Sequence, residues 1–195
     1  MRLKNKYFVT FIVFISIMSL FSFTASIEYN RSYQNNLKYT KDKLLLIKLN
    51  LESLISSRMI ALNGLKAHAE IDPNFTQDDF NYFAKEIYNS SNDVVQSMSF
   101  LTDTTISHIY PYDDYKDIVG TDLSLNPEQK EWINYAKNTL KPIITAPANL
   151  VEGGLGIIVR VPVGINNQYY GQVSIVFDYD KILSASGLIE LSEDY

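Results

Sequence analysis

The stretch Ala146–Val163, APANLVEGGLGIIVRVPV, sets three glycines ahead of a β-branched run that holds a single arginine. Its reading decides the fold. As a phosphate cradle, Gly154 and Gly156 open a G-x-G-x-x-G pattern, but Val159 stands where the last glycine belongs. A dinucleotide fold also needs a strand before the glycines and a helix after them. Here IIVRVPV follows, a strand by composition and alternation, and no Walker lysine accompanies it. The cradle reading fails. Glycine serves instead where a chain turns with positive φ between strands, or where something approaches an open backbone closely. Alternation then puts Ile158, Arg160 and Pro162 on one face and Ile157, Val159 and Val161 on the other.

Working outward, Leu155–Ile165 and Gln168–Phe177 read as a hairpin across Asn166-Asn167. A two-residue turn there sets Arg160 opposite Val173, with Ile175 diagonal. VVQSMSFL and TTISHIY, upstream, form a second hairpin around Asp103, and PIITAP a short strand. Thr76 to Asp79 resembles a capping box that starts a helix to about Ser90. Asn126-Pro127 starts another to about Leu140, and DYDKILSAS closes with a short one. Strands and helices in this order predict an α+β fold, an antiparallel sheet with helices on one side.

The N-terminal segment sets the compartment. Tyr7–Ala25 is free of charge and spans about 30 Å as a helix, the thickness of the hydrocarbon layer. Arg2, Lys4 and Lys6 precede it and Glu28 is the first charge after it, which places the N-terminus in the cytoplasm and the rest outside. The alternative is a cleaved signal peptide, whose apolar core is shorter and ends in small residues where this chain has Phe23. The expected organisation is a cytoplasmic N-terminus (1–6), a transmembrane anchor (7–27), a stalk helix (28–71), a sensor domain (72–190) and a tail (191–195). In the stalk, Leu37, Thr40, Leu44, Ile47, Leu51, Leu54, Arg58, Ala61 and Leu65 hold heptad a/d positions. That seam predicts a homodimer. Leu45, Leu46, Leu49, Ile55 and Ile60 widen the stripe, as in a helix lying on its own domain.

Composition excludes several chemistries. The chain has no cysteine, so disulfides, thiolate metal sites and cysteine nucleophiles are ruled out. A net charge of -5 without a basic cluster gives no nucleic-acid groove. His68 and His108 lack metal-ligand spacing, and Asp113, Asp114, Asp117 and Asp122 lack that of a calcium loop. Neither an enzyme nor a cofactor nor a metal is expected.

Arg160 is the leading ligand candidate, as a clamp for a carboxylate or another acceptor, against a structural salt bridge or a solvent-facing edge residue. With a turn at Asp103-Thr104, Ser97, Ser99, His108 and Tyr110 share one face, either a recognition wall or a wet outer surface. Thr145, Gly154 and Trp132 complete the candidates, although Trp132, mid-helix among Ile133 and Ala136, reads as core rather than as a ligand platform. Tyr112, Tyr115, Tyr169 and Tyr170 stand in or beside loops and are ambiguous.

Several of these elements occur together in one order: Tyr110-Pro111, Gly120 with Asp122, Pro147, Leu150, Gly153-Gly154, Arg160 with Pro162-Val163, and Gly171. Over Val94–Leu188 the chain thereby resembles the CHASE domain family, extracytoplasmic sensor domains of receptor histidine kinases and diguanylate cyclases. The resemblance implies a PAS-like or Cache-like antiparallel sheet behind a long N-terminal helix, with a small-molecule pocket against the sheet. It also implies a receptor at the cell membrane, with a second membrane helix and an output module. GLIELSEDY, 187–195, is acidic and not membrane-like, so a fragment and a product without an output module both stay open. The other functional class is a membrane-anchored dimerisation or interaction module without a small ligand.

Overall fold

The computed structural model describes residues 2–91, 93–166 and 168–189, with side chains from residue 11 onward. The expected tail, 191–195, and Asn167 of the expected turn lie outside the described residues. By internal contacts the chain divides into Met1–Leu46 and Ile47–Tyr195, a boundary that falls inside the segment expected as the stalk.

Helix α1 covers Arg2–Ile71. Its part within the first unit carries the one stretch, among the described residues, that is long and apolar enough to cross a membrane, and none of that stretch is buried. Two hydroxyls inside it are satisfied locally. Ser16 Oγ donates to the Ile12 carbonyl at 3.0 Å, and Thr24 Oγ1 to Leu20 at 3.1 Å. Each polar group is thereby removed from what surrounds the helix, which is how Ser and Thr are tolerated in an apolar span.

In the second unit, α1 is followed by α2 (Gln77–Asn89), β1 (Val95–Thr102), β2 (Thr105–Tyr110), α3 (Tyr112–Tyr115), α4 (Lys130–Thr139), β3 (Ile143–Ile144), β4 (Ala148–Asn149), β5 (Leu155–Ile165), β6 (Gln168–Asp178) and α5 (Tyr179–Ser186). Thr76 caps α2 as expected, through a capping box with Asp79. Helix α4 begins later than Asn126, because Asn126 Oδ1 accepts from the Glu128 backbone and closes a turn first. The sheet is antiparallel, in the order β2-β1-β6-β5-β3, with β4 pairing the start of β5.

One sheet face holds the main core. Met98, Phe100, Val159, Val161, Val163, Val173, Ile175 and Phe177 pack on Leu62, Leu65 and Ala69 of α1, Phe80 and Ala84 of α2, and Ile182 of α5. The heptad residues Leu51, Leu54 and Leu65 therefore face their own domain from Ile47 onward, the alternative foreseen for this helix. Leu49 and Ile60, on the other side of α1, remain exposed. The opposite sheet face is covered by α4 and its flanking loops and carries two smaller clusters: Leu101, Ile106, Ile109, Leu123 and Ile133, and Leu150, Ile158 and Val176.

Three β-bulges interrupt the register, one of them at Gln96 of β1; the other two bear on the candidate residues. Phe100 pairs with His108 while Leu101 pairs with Ile106, so Ser107 is the extra residue. Val163 pairs with Gly171 while Gly164 pairs with Tyr169, so Tyr170 is extra. Gly171 sits where β1 and β6 meet most closely: a Cβ there would lie 2.0 Å from the Leu101 carbonyl oxygen. Gly153 and Gly154 turn the chain into β5 with φ of +90° and +83°, the role assigned to them from the sequence.

Candidate functional site

The Tyr170 bulge corrects the pairing of Arg160. Its partner on β6 is Ser174, not Val173, and Ser174 is in turn opposite Ser99 on β1. Three polar residues thus lie side by side across β1, β6 and β5. They divide the α4 face between Val176 with Ile158 on one side and Leu101 with Gln172 and Pro162 on the other.

Arg160 is 2 % exposed and fills this row. Its Nη1 donates to Ser174 Oγ at 2.9 Å and its Nη2 to Gln129 Oε1 at 2.6 Å. Gln129, the residue just before α4, is itself buried. Both acceptors are neutral, and no ion pair among the described residues involves Arg160. Its Nε has no partner. Burial lowers the guanidinium from 12.5 to about 10, opposed by the charge of Glu152, so it stays a cation at neutral pH. Next to it on the same face, Gln172 is 0 % exposed, and neither its Oε1 nor its Nε2 is hydrogen-bonded. Tyr169, whose phenol burial pushes upward, donates to the Asp103 carbonyl at 2.7 Å. A buried guanidinium and a buried amide with open valences are costly unless something meets them.

The other candidates from the sequence fall in different places. The Ser107 bulge splits the expected polar wall. Ser97 and Ser99 share the Arg160 face, whereas His108 and Tyr110 pair with Phe100 and Met98 on the main-core face. Ser97 Oγ donates to Glu152 Oε1 at 3.1 Å. His108 packs among Phe75, Phe80 and Phe100, with Nε2 3.2 Å from the Phe75 carbonyl, and burial holds its pKa below the usual histidine value. Tyr110 lines a polar surface cleft of about 410 Å³ with Lys85, Asp113 and Asp114. Trp132 is not core. It lines a second cleft, of about 670 Å³, with Tyr135, Pro142, Ile143 and Ile144, while Ile133 and Ala136 take the buried positions of α4. Thr145 is buried and its Oγ1 accepts from the Ile158 backbone at 3.1 Å, while Gly154 belongs to the turn before β5.

Gln129, Gln172 and Ser174 were not among the sequence candidates. Gln172 and Ser174 were visible as alternate polar positions in GQVSIVFD, an otherwise apolar run. Gln129 carries no local signal.

The sequence of residues 102–193 matches the family model described as the CHASE domain. No curated protein matches the chain significantly. Solved structures of the same fold include an extracellular ligand binding receptor from Desulfohalobium retbaense, at TM-score 0.61 and 18% identity over 75% of this chain and 27% of that one. The ligand-binding domain of the Pseudomonas aeruginosa amino acid chemoreceptor PctC, in complex with GABA, superposes at TM-score 0.60 and 16% identity, covering 76% of this chain and 66% of its own. The sensor domain of the V. cholerae histidine kinase DctB does so at 0.57 and 12%, covering 80% and 60%. The chain thus spans between about a quarter and two thirds of the length of these structures. Its fold is that of Cache/PAS-like sensor domains.

Proposed function

We propose that the chain, whose residues 102–193 match the CHASE domain model, is the extracytoplasmic small-molecule sensor of a membrane receptor, held by a single N-terminal span with its N-terminus in the cytoplasm. One observation carries the reading: a buried cation, Arg160, whose partners are neutral and whose Nε is open, on the sheet face roofed by α4. A structural arginine in such a place is normally paired with a carboxylate. A ligand acceptor supplies what the protein does not. Binding favours one packing of β5 and β6, and these strands also seat α1 and α5 on their other face, so the ligand shifts the population of helix arrangements. A stalk homodimer and the membrane segment then carry the change inward. No catalytic step is assigned to any residue.

The test is thermal unfolding of the full chain in detergent against a panel of small metabolites, charged and neutral. A specific ligand raises Tm in proportion to the logarithm of its concentration above Kd. A panel without any such response, with the chain folded, argues for the interaction-module alternative, which the exposed Leu49 and Ile60 on α1 favour.

A further inference from the structure

We infer that Gln172 and Arg160 together select a small α-hydroxy carboxylate, a deeper reading that rests on the sensor function proposed above. Arg160 offers a charged donor at Nε and calls for an anionic acceptor. Gln172 is more specific. Both its amide oxygen and its amide nitrogen are buried and without partners, so the group that meets it must donate and accept. A hydroxyl does both. An ammonium only donates and a carboxylate only accepts, and either would leave one amide atom open.

Register fixes the spacing. Arg160 pairs with Ser174, and Gln172 is two residues along β6 on the same face, a diagonal of about 7–8 Å between Cα atoms. Long side chains on that diagonal are within reach of one small ligand, whose anion and hydroxyl we place on neighbouring carbons. Enclosure limits size: Arg160, Gln172, Ser174 and Gln129 are all at least nine-tenths buried, on the sheet face that α4 packs against. The acid whose charge acts on Arg160, Glu152, accepts from Ser97. Gln129 Oε1, on Arg160 Nη2 at 2.6 Å, is the neutral acceptor that an incoming carboxylate outcompetes.

The test uses the full chain in detergent, melted with acetate, glycolate, lactate, glycine and alanine, each at 10 mM by choice, and compares wild type with Gln172→Met. Glycolate and lactate are expected to raise the wild-type Tm, acetate by less, and glycine and alanine not at all. In Gln172→Met the apo Tm rises, because an unpartnered amide is replaced by a thioether of similar shape, and the glycolate response falls to that of acetate. Equal responses to acetate and glycolate in wild type, a larger response to glycine, or a lower apo Tm in Gln172→Met overturns the inference. Silence toward all five acids alongside a response to a neutral metabolite overturns it while leaving the sensor reading in place. Silence toward both removes the two together.

Discussion

Replacing Arg160 by Met separates a ligand clamp from a structural anchor, because the two roles predict different stabilities. Burial, partly offset by the charges of Glu152 and Tyr169, lowers the guanidinium from 12.5 to about 10, a net penalty on the charged form of about 3 kcal/mol at about 1.4 kcal/mol per pH unit. Against this stand two charge-assisted hydrogen bonds, to Ser174 and Gln129, worth about 1.5 kcal/mol each at the lower end. The terms nearly cancel. Methionine is unbranched and adapts to the same channel, so Arg160→Met is expected to fold with a stability within about 2 kcal/mol of wild type, or about 4–8 °C in Tm for a chain of this size. Circular dichroism melts of the full chain in detergent measure it. The same variant is expected to lose the Tm response to any ligand that wild type recognises. An arginine anchoring the fold through a buried ion pair would instead cost about 3–5 kcal/mol when removed. A loss of that size, or retention of ligand response, refutes the reasoning.

Other perturbations report on separate parts of the molecule. Gly171→Ala drives a Cβ against the Leu101 carbonyl at 2.0 Å, so β1 and β6 must part. A loss of about 3 kcal/mol or more in urea unfolding is expected, at the upper end for overpacking. Burial lowers the pKa of His108 in the folded chain, while the unfolded chain protonates it near pH ~6.5. The unfolded state then binds more protons around that pH, and stability falls as pH drops through about 6.5. His108→Gln should flatten that limb in urea titrations at stepped pH. Leu49→Lys with Ile60→Lys, exposed on one side of α1, is expected to convert a dimer to a monomer in sedimentation of the detergent-solubilised chain, with an unchanged circular dichroism spectrum.

Much of this architecture was legible because local signals agreed. The capping box at Thr76, the turns at Gly153 and Gly154, and the alternation of IIVRVPV each led to the element found. The site was legible only in part, and the reason is two inserted residues. Ser107 is held out of register by its own hydroxyl, which donates to the Phe100 carbonyl and accepts from Thr102. Tyr170 is drawn toward the main core by a hydrogen bond to the Pro73 carbonyl and by the ring of Phe100. Neither cause is local to its strand, so period-two alternation carried past each bulge assigns the wrong face. Arg160 gained the wrong neighbour and His108 and Tyr110 the wrong wall. Gln129 came into play only through tertiary packing, from a segment whose sequence resembles an ordinary helix start.

Strand β6 is one residue thick. Gln172 and Ser174 look one way, and Val173, Ile175 and Phe177 the other, along a single peptide chain that runs directly into α5. A partition built like this has no slack between its two surfaces. A sub-ångström slide provoked on the polar side arrives undiminished on the greasy side, within the length of one amide. Mutational drift on either surface is likewise felt by the other, so the polar row and the core that seats α1 and α5 are bound to evolve in step.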